Sequence, residues 1–170
     1  MTDERMGDGL LPSVAALPKG SGVIFRHYSL GEVERRVLFQ AVRKIAQRRR
    51  LVLLLAGSAK LARAWKADGT HGRGRGWGVQ SAPIHSRRER REAEQNGADL
   101  MIVSPLFATR SHVGKVGLGR VRFGLLIAGT RRPVIALGGM NQWRARSLAV
   151  LGVHGWAGID ALTARPKVRI

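Results

Sequence analysis

The chain has 170 residues, 30 of them Lys or Arg and 11 Asp or Glu, so its formal net charge is +19 and its pI is near 11.9. The 44% apolar fraction excludes a wholly disordered chain and predicts one domain over residues 1–170, and the absence of cysteine excludes disulfides, thiolate metal sites and a cysteine nucleophile. No apolar run approaches the roughly 20 residues of a membrane helix and the first residues are unlike a signal peptide, so we expect no membrane span and a cytoplasmic location.

Short aliphatic runs alternate with stretches of helical periodicity along the chain. This alternation predicts βα units around a parallel sheet. The predicted strands are residues 23–25, 51–55, 68–71, 79–80, 100–103, 134–137 and 156–159, and the predicted helices are residues 32–49, 58–67, 86–96 and 141–151. A doubly wound sheet and a (β/α) barrel both fit this pattern. In either fold, the chemistry is expected at the C-terminal ends of the strands.

Small, polar and cationic residues follow the predicted strands. Gly138 and Gly139 precede a helix capped by Asn141, and such a turn can cradle a phosphate or simply form a tight bend. The loop after residue 103 offers hydroxyls and cations at residues 109–112. His85 follows a strand end and suits acid–base chemistry, but on the residues alone an exposed position on the first turn of a helix is the favoured interpretation. The five histidines show no metal-ligand spacing, so we expect no metal site.

The net charge allows an alternative function in nucleic-acid binding. Arginines cluster at residues 48–50, 73–75 and 87–91. However, they are spread over the whole length, and no zinc-finger, RNA-recognition or basic-zipper motif is present. We therefore expect nucleic acid to bind only nonspecifically.

Several segments together resemble the thiamine phosphate synthase/TenI family. They read GADLMIVSPLFATRSH at residues 97–112, LG at 118–119 and PVIALGGMN at 133–141, with ADGTH at 67–71 and FR at 25–26. The resemblance implies a TIM (β/α)8-type barrel acting in thiamine biosynthesis. The synthase branch joins an aminopyrimidine pyrophosphate to a thiazole phosphate with Mg²⁺, whereas the TenI branch tautomerises a thiazole carboxylate phosphate without metal.

The resemblance also implies roles for individual residues. Thr109 and Ser111 would contact the pyrophosphate region, with His112 at the position of a family lysine. Arg26 would balance the anionic substrate. Gly138 and Gly139, with the turn at Ile159 and Asp160, would hold the thiazole phosphate. His85 with Ser86 resembles the His-Ser of the TenI branch, in which the histidine moves protons.

Departures from the family pattern weaken the synthase reading. Residues 56–57 and 72–75 read AG and GRGR where synthases carry the carboxylates that serve Mg²⁺, so Mg²⁺ is expected only if synthase activity is retained. Asp160 replaces a phosphate-binding serine and would repel a phosphate unless compensated. The alternative is a catalytically reduced barrel that binds thiamine phosphates in a regulatory role.

The first five residues, MTDER, resemble the segment that follows the family's first strand, so the barrel is expected to lack or truncate that strand. Open sheet edges are usually covered. Either the true start lies upstream, or the edge beside Val23 pairs with a partner chain, as in a homodimer.

Overall fold

The computed structural model describes residues 1–109 and 116–163 of the chain. Its sheet has seven parallel strands, each hydrogen-bonded to the next in chain order. They are β1 (Gly22–Phe25), β2 (Val52–Ala56), β3 (Gly69–His71), β4 (Val79–Ile84), β5 (Leu100–Val103), β6 (Val134–Ala136) and β7 (Gly155–Trp156). A doubly wound sheet reverses its strand order at a switch point. The sequential order found here therefore excludes that alternative.

Helices connect most of the strands. They are α1 (Leu10–Ala16), α2 (Glu32–Arg49), α3 (Ala59–Ala64), α4 (Arg87–Gln95), α5 (Gly119–Ile127) and α6 (Gln142–Arg146), with short 3-10 segments at Glu4–Gly9, Ala149–Leu151 and Asp160–Leu162. Ser58, Ser86 and Asn141 accept backbone hydrogen bonds as N-caps of α3, α4 and α6, and the cap at Asn141 confirms the prediction. None of the helices within the described ranges is long and apolar enough to cross a membrane.

The sheet curls into a half-barrel. Val23 of β1 and Trp156 of β7, at its two ends, line the same cavity of about 660 Å³. At the C-terminal end of β1, the Thr2 amide donates to the carbonyl of Ile24 at 2.8 Å and covers part of that edge. Within the described residues, no strand pairing joins β1 to β7.

Both faces of the sheet are apolar, as the run at residues 51–55 predicts. Leu53 and Leu55 pack outward against a cluster that includes Phe39 of α2, whereas Leu54 points inward to pack with Ile24 and Ile102. A second outer cluster forms under α4 and α5. The strands are thereby held from outside and their C-terminal ends are fixed relative to one another.

Several predicted boundaries were wrong. The helix predicted over residues 58–67 ends at Ala64, because Lys66 adopts a left-handed φ of +57°. The helix predicted over 141–151 ends at Arg146, where the Ser147 hydroxyl donates to the carbonyl of Arg144 at 2.7 Å, and resumes as a 3-10 turn. The last strand stops at Trp156, because the following residues turn towards the N-terminus.

Candidate functional site

A cavity of about 200 Å³ lies at the C-terminal ends of the strands. It is lined by the segments that follow β1, β5, β6 and β7. Among the predicted site residues, it brings together Arg26, Thr109, Gly138, Gly139, Ile159 and Asp160. Ser111 and His112 lie outside the described residues. This grouping is expected for a site at the C-terminal ends of parallel strands.

Gly138 and Gly139 form the turn between β6 and α6, and both have positive φ, +98° and +59°. A Cβ on Gly138 would lie 2.7 Å from the Cα of Pro105, and one on Gly139 would lie 2.5 Å from the carbonyl oxygen of Ala108. The amide of Phe107 also donates to the carbonyl of Gly138 at 3.0 Å. The two glycines are therefore required by close packing of two loops, which places Thr109 beside them.

Arg144, in α6, ties the glycine turn to the helix behind it. Its guanidinium donates to the carbonyl of Gly139 and lies 4.6 Å from the ring centroid of Phe107. Its amide donates to the side chain of Asn141 at 2.9 Å. Sequence reasoning missed Arg144, because only the folded turn brings its side chain back to Gly139.

Asp160 places a carboxylate at the wall of this pocket, where Arg26 is also present. The pKa of Arg5 is raised by its hydrogen bond to Asp3, with a further contribution from the charge of Asp160. Asp160 and Arg5 thus attract each other. A phosphate in the pocket would meet a carboxylate whose charge is partly balanced by Arg5.

His71 and Ser81 form a buried polar pair. They face each other in the β3–β4 register, with 2.8 Å between His71 Nδ1 and Ser81 Oγ. Burial, with a smaller effect of the nearby charge of Arg26, lowers the pKa of His71 to about 4. His71 is therefore neutral at physiological pH. Its position at a strand end was visible in the sequence, but its partner depends on strand register.

His85 follows β4 directly, and its side chain is 44% exposed. Among the described residues, His85 is not one of those that line the pocket. Its Nε2 instead lies 3.5 Å from Oγ of Ser104, which does line the pocket. His85 thus reaches the pocket through Ser104, a residue for which the sequence analysis predicts no role.

Glu89 holds His85 from the other side. Its Oε2 accepts the His85 amide at 2.6 Å and lies 2.9 Å from His85 Nδ1. Partial burial alone would raise the pKa of Glu89, but hydrogen bonds from His85 and the charge of Arg73 together lower it below its usual value. Glu89 is therefore ionised at neutral pH. A glutamate three residues after the cap Ser86 is the capping-box signal that could have found it.

The described pocket offers few carboxylate oxygens to a hard cation. Within the described part of the chain, no three His, Asp or Glu side chains group as metal ligands. Asp160 is the one carboxylate among the described residues that line the pocket. Mg²⁺ is usually bound through one or two carboxylates together with substrate phosphates. With Asp160 already attracted to Arg5, these residues give Mg²⁺ a poor site.

Comparisons with known proteins agree with one another. A family model described as thiamine monophosphate synthase matches residues 3–162. The putative thiamine-phosphate synthase 2 of Aquifex aeolicus is 27% identical over 175 residues, covering 92% of this chain and 91% of the relative. The thiamine-phosphate synthase of Pyrococcus furiosus is 32% identical over 91 residues. That match covers 54% of this chain and spans less than half of the relative, 44%.

A solved structure shares the fold. It is a thiamine phosphate pyrophosphorylase from Pyrococcus furiosus, with a TM-score of 0.80 at 22% sequence identity. The match covers 99% of this chain and 87% of that one. The curled sheet of seven parallel strands described above is thus an α/β arrangement known from a solved protein.

Proposed function

The chain belongs to the thiamine monophosphate synthase family, and from this premise we propose that it catalyses a metal-free proton transfer on a thiazole phosphate. The reaction class is the tautomerisation of a thiazole carboxylate phosphate, as in the TenI branch. We further propose that the chain is one domain with a (β/α)8-type barrel that lacks its first complete strand.

The observation that carries this proposal is the composition of the 200 Å³ pocket. It combines a cation at Arg26, a hydroxyl at Thr109 and backbone at Gly138 and Gly139, but Asp160 is its one carboxylate within the described residues. Arg26 would attract the phosphate and carboxylate of the substrate. Such a set can bind an anion and does not favour a hard cation. His85 supplies an imidazole, whose two nitrogens can donate and accept protons.

Synthase-type transfer is the second candidate, because Thr109 lines the pocket where the family would contact pyrophosphate. That reaction would use an aminopyrimidine pyrophosphate as a second substrate and would require Mg²⁺. A barrel that binds thiamine phosphates without turnover is the third. The three candidates differ in their response to Mg²⁺ and in whether the ligand is consumed.

Calorimetry with thiazole phosphate and with thiamine phosphate, each with and without Mg²⁺, tests the binding step. We expect thiazole phosphate to bind with an affinity that does not change with Mg²⁺. Arg26→Gln should weaken binding by about tenfold or more, the cost of losing one charge-assisted hydrogen bond. Because the chain is strongly cationic, Arg36→Gln, which removes an equal charge from an exposed position on α2, is the matched control.

Turnover is then followed by NMR of thiazole carboxylate phosphate. Isomerisation by the parent protein, and its loss in His85→Gln, would support the tautomerase. Binding that needs Mg²⁺, with product formed only when the aminopyrimidine pyrophosphate is added, would instead support synthase-type transfer. Binding of thiamine phosphate without consumption of any ligand would support the third candidate, a barrel that binds thiamine phosphates without turnover. Failure of all ligands to bind would overturn every reading that uses this pocket.

A further inference from the structure

One side chain outside the proposed binding set, Ser104, connects His85 to the pocket. His85 and Ser104 follow paired strands, since Ile84 of β4 is in register with Val103 of β5 and the Ser104 amide donates to the carbonyl of Ile84 at 3.2 Å. This register brings Ser104 Oγ to 3.5 Å from His85 Nε2. Ser104 therefore lies between the imidazole and the pocket that it lines.

Glu89 fixes which nitrogen of His85 carries a proton. The carboxylate is held at both oxygens, with Oε1 accepting from Arg73 at 2.7 Å and Oε2 facing His85 Nδ1 at 2.9 Å. An ionised carboxylate can only accept, so Nδ1 must be the donor. In the neutral imidazole Nε2 is then an acceptor, and the Ser104 hydroxyl donates to it.

We propose that Ser104 is a proton relay between His85 and the pocket and that Glu89 is the positioning residue that keeps His85 Nε2 available to it. The proposal deepens the proposed function and rests on it for the identity of the substrate. The substrate class is a phosphorylated heterocycle with an acidic C–H bond.

The step balances as a double proton transfer. Ser104 Oγ takes the proton from the substrate carbon while its own proton passes to His85 Nε2, and the C–H electron pair stays on the substrate as a delocalised anion. His85 becomes an imidazolium paired with the Glu89 carboxylate. Reversal of both transfers, with the proton delivered to another carbon of the conjugated system that shares the negative charge, gives the tautomer. The 3.5 Å separation is long for a hydrogen bond, and such contacts commonly shorten when substrate binds.

Imidazole nitrogen NMR on the free protein tests the geometry without any substrate. The His85 signals are assigned by their loss in His85→Gln. We expect the neutral ring to carry its proton on Nδ1, and Glu89→Gln, which can still cap α4, should shift the ring towards the Nε2–H tautomer. Ser104→Ala should move the Nε2 resonance by removing its hydrogen-bond donor. Glu92→Gln, on the same helix and paired with exposed Arg88, is the matched control and should change neither signal.

Kinetics test the relay itself. Ser104→Ala should lower kcat by about a hundredfold with little change in KM, the range expected when one proton-transfer group is lost. Ser104→Thr keeps the hydroxyl and should recover most of the loss. Glu89→Gln should lower kcat by about tenfold in parallel with its effect on the tautomer.

The outcomes separate this proposal from the proposed function. A parent protein with the Nε2–H tautomer, or a Ser104→Ala variant that turns over like the parent, would overturn the relay while leaving the tautomerase intact. The expected NMR signals in a protein that does not isomerise the thiazole would remove the proposed substrate while supporting the hydrogen-bonded Ser104–His85–Glu89 arrangement.

Discussion

At the scale of single residues, His71 shows how burial sets the charge of a group near the pocket. Desolvation lowers its pKa from 6.5 to about 4, with a smaller effect of Arg26. The unfolded chain takes up a proton below about pH 6.5, whereas the folded chain does so only below about pH 4. Between these values the unfolded state binds more protons, so the free energy of unfolding falls as the pH falls.

We predict that His71→Asn removes much of this pH dependence, because Asn can keep a polar contact with Ser81 and has no charge to gain. In the parent, lowering the pH through this window should cost up to about 3 kcal/mol from His71 alone, at about 1.4 kcal/mol per pKa unit. Urea unfolding near pH 6.5 and near pH 4 measures this change in the free energy of unfolding. His154→Asn, at an exposed histidine, should keep the parental pH dependence, and an equal dependence in His71→Asn would contradict the prediction.

At the scale of secondary-structure elements, α2 is anchored to the C-terminal ends of two strands by one side chain. The Arg35 guanidinium donates to the carbonyl of Arg26 at 2.9 Å and to that of Ala56 at 2.8 Å. It also lies 5.3 Å from the ring centroid of Tyr28 and 5.5 Å from that of Trp65. Because one of its acceptors is the backbone of Arg26, this anchor also holds a pocket residue in place.

Arg35→Lys should therefore destabilise the protein although it conserves the charge. A lysine ammonium cannot donate to both carbonyls with the planar geometry of a guanidinium, and it stacks less well on aromatic rings. We expect a loss of about 1–3 kcal/mol in the free energy of unfolding, measured by denaturant titration. Arg36→Lys, at the exposed neighbouring position, should be nearly neutral. Equal stability of the two variants would show that the anchor contributes little.

The strands were the elements most readily predicted, because a buried parallel strand is a short apolar run closed by a turn residue. All seven were expected, including the three-residue β3. Two helices went unpredicted. In α1, Pro12 weakens the helical signal, yet it is tolerated in the first turn, where its missing N–H would have no partner. In α5, Gly124 lowers helix propensity, but buried Phe123, Leu126 and Ile127 hold the helix against the sheet.

The candidate site was predictable where it depends on strand ends and not where it depends on register. Arg26, Gly138 and Asp160 each follow a strand, so one edge of the sheet gathers them. The contact between Ser104 and His85 requires the alignment of β4 with β5, and that between His71 and Ser81 requires the alignment of β3 with β4. A one-residue slip would turn each side chain to the opposite face, so spacing along the chain could not reveal these pairs.

At the scale of the whole molecule, the dominant electrostatic feature is an excess of 19 positive charges. Within the described residues, four of the five ion pairs use the acidic side chains Glu89, Glu92 and Glu94 of α4. Most of the excess therefore lies on other surfaces, where like charges repel one another and oppose the compact state. The same field would concentrate small anions near the pocket.

Screening this repulsion should stabilise the fold. The Debye length falls from about 30 Å at 0.01 M salt to about 8 Å at 0.15 M, so we expect the Tm to rise over that range. Replacing the adjacent exposed arginines by glutamine, as Arg131→Gln with Arg132→Gln, should raise the Tm in dilute buffer and lose that advantage in salt. The double replacement by lysine keeps the charge and should behave like the parent in a calorimetric scan. A Tm that falls as salt is added would instead show that attractive ion pairs outweigh the repulsion, and the glutamine variant would then be no more stable than the lysine variant at any salt concentration.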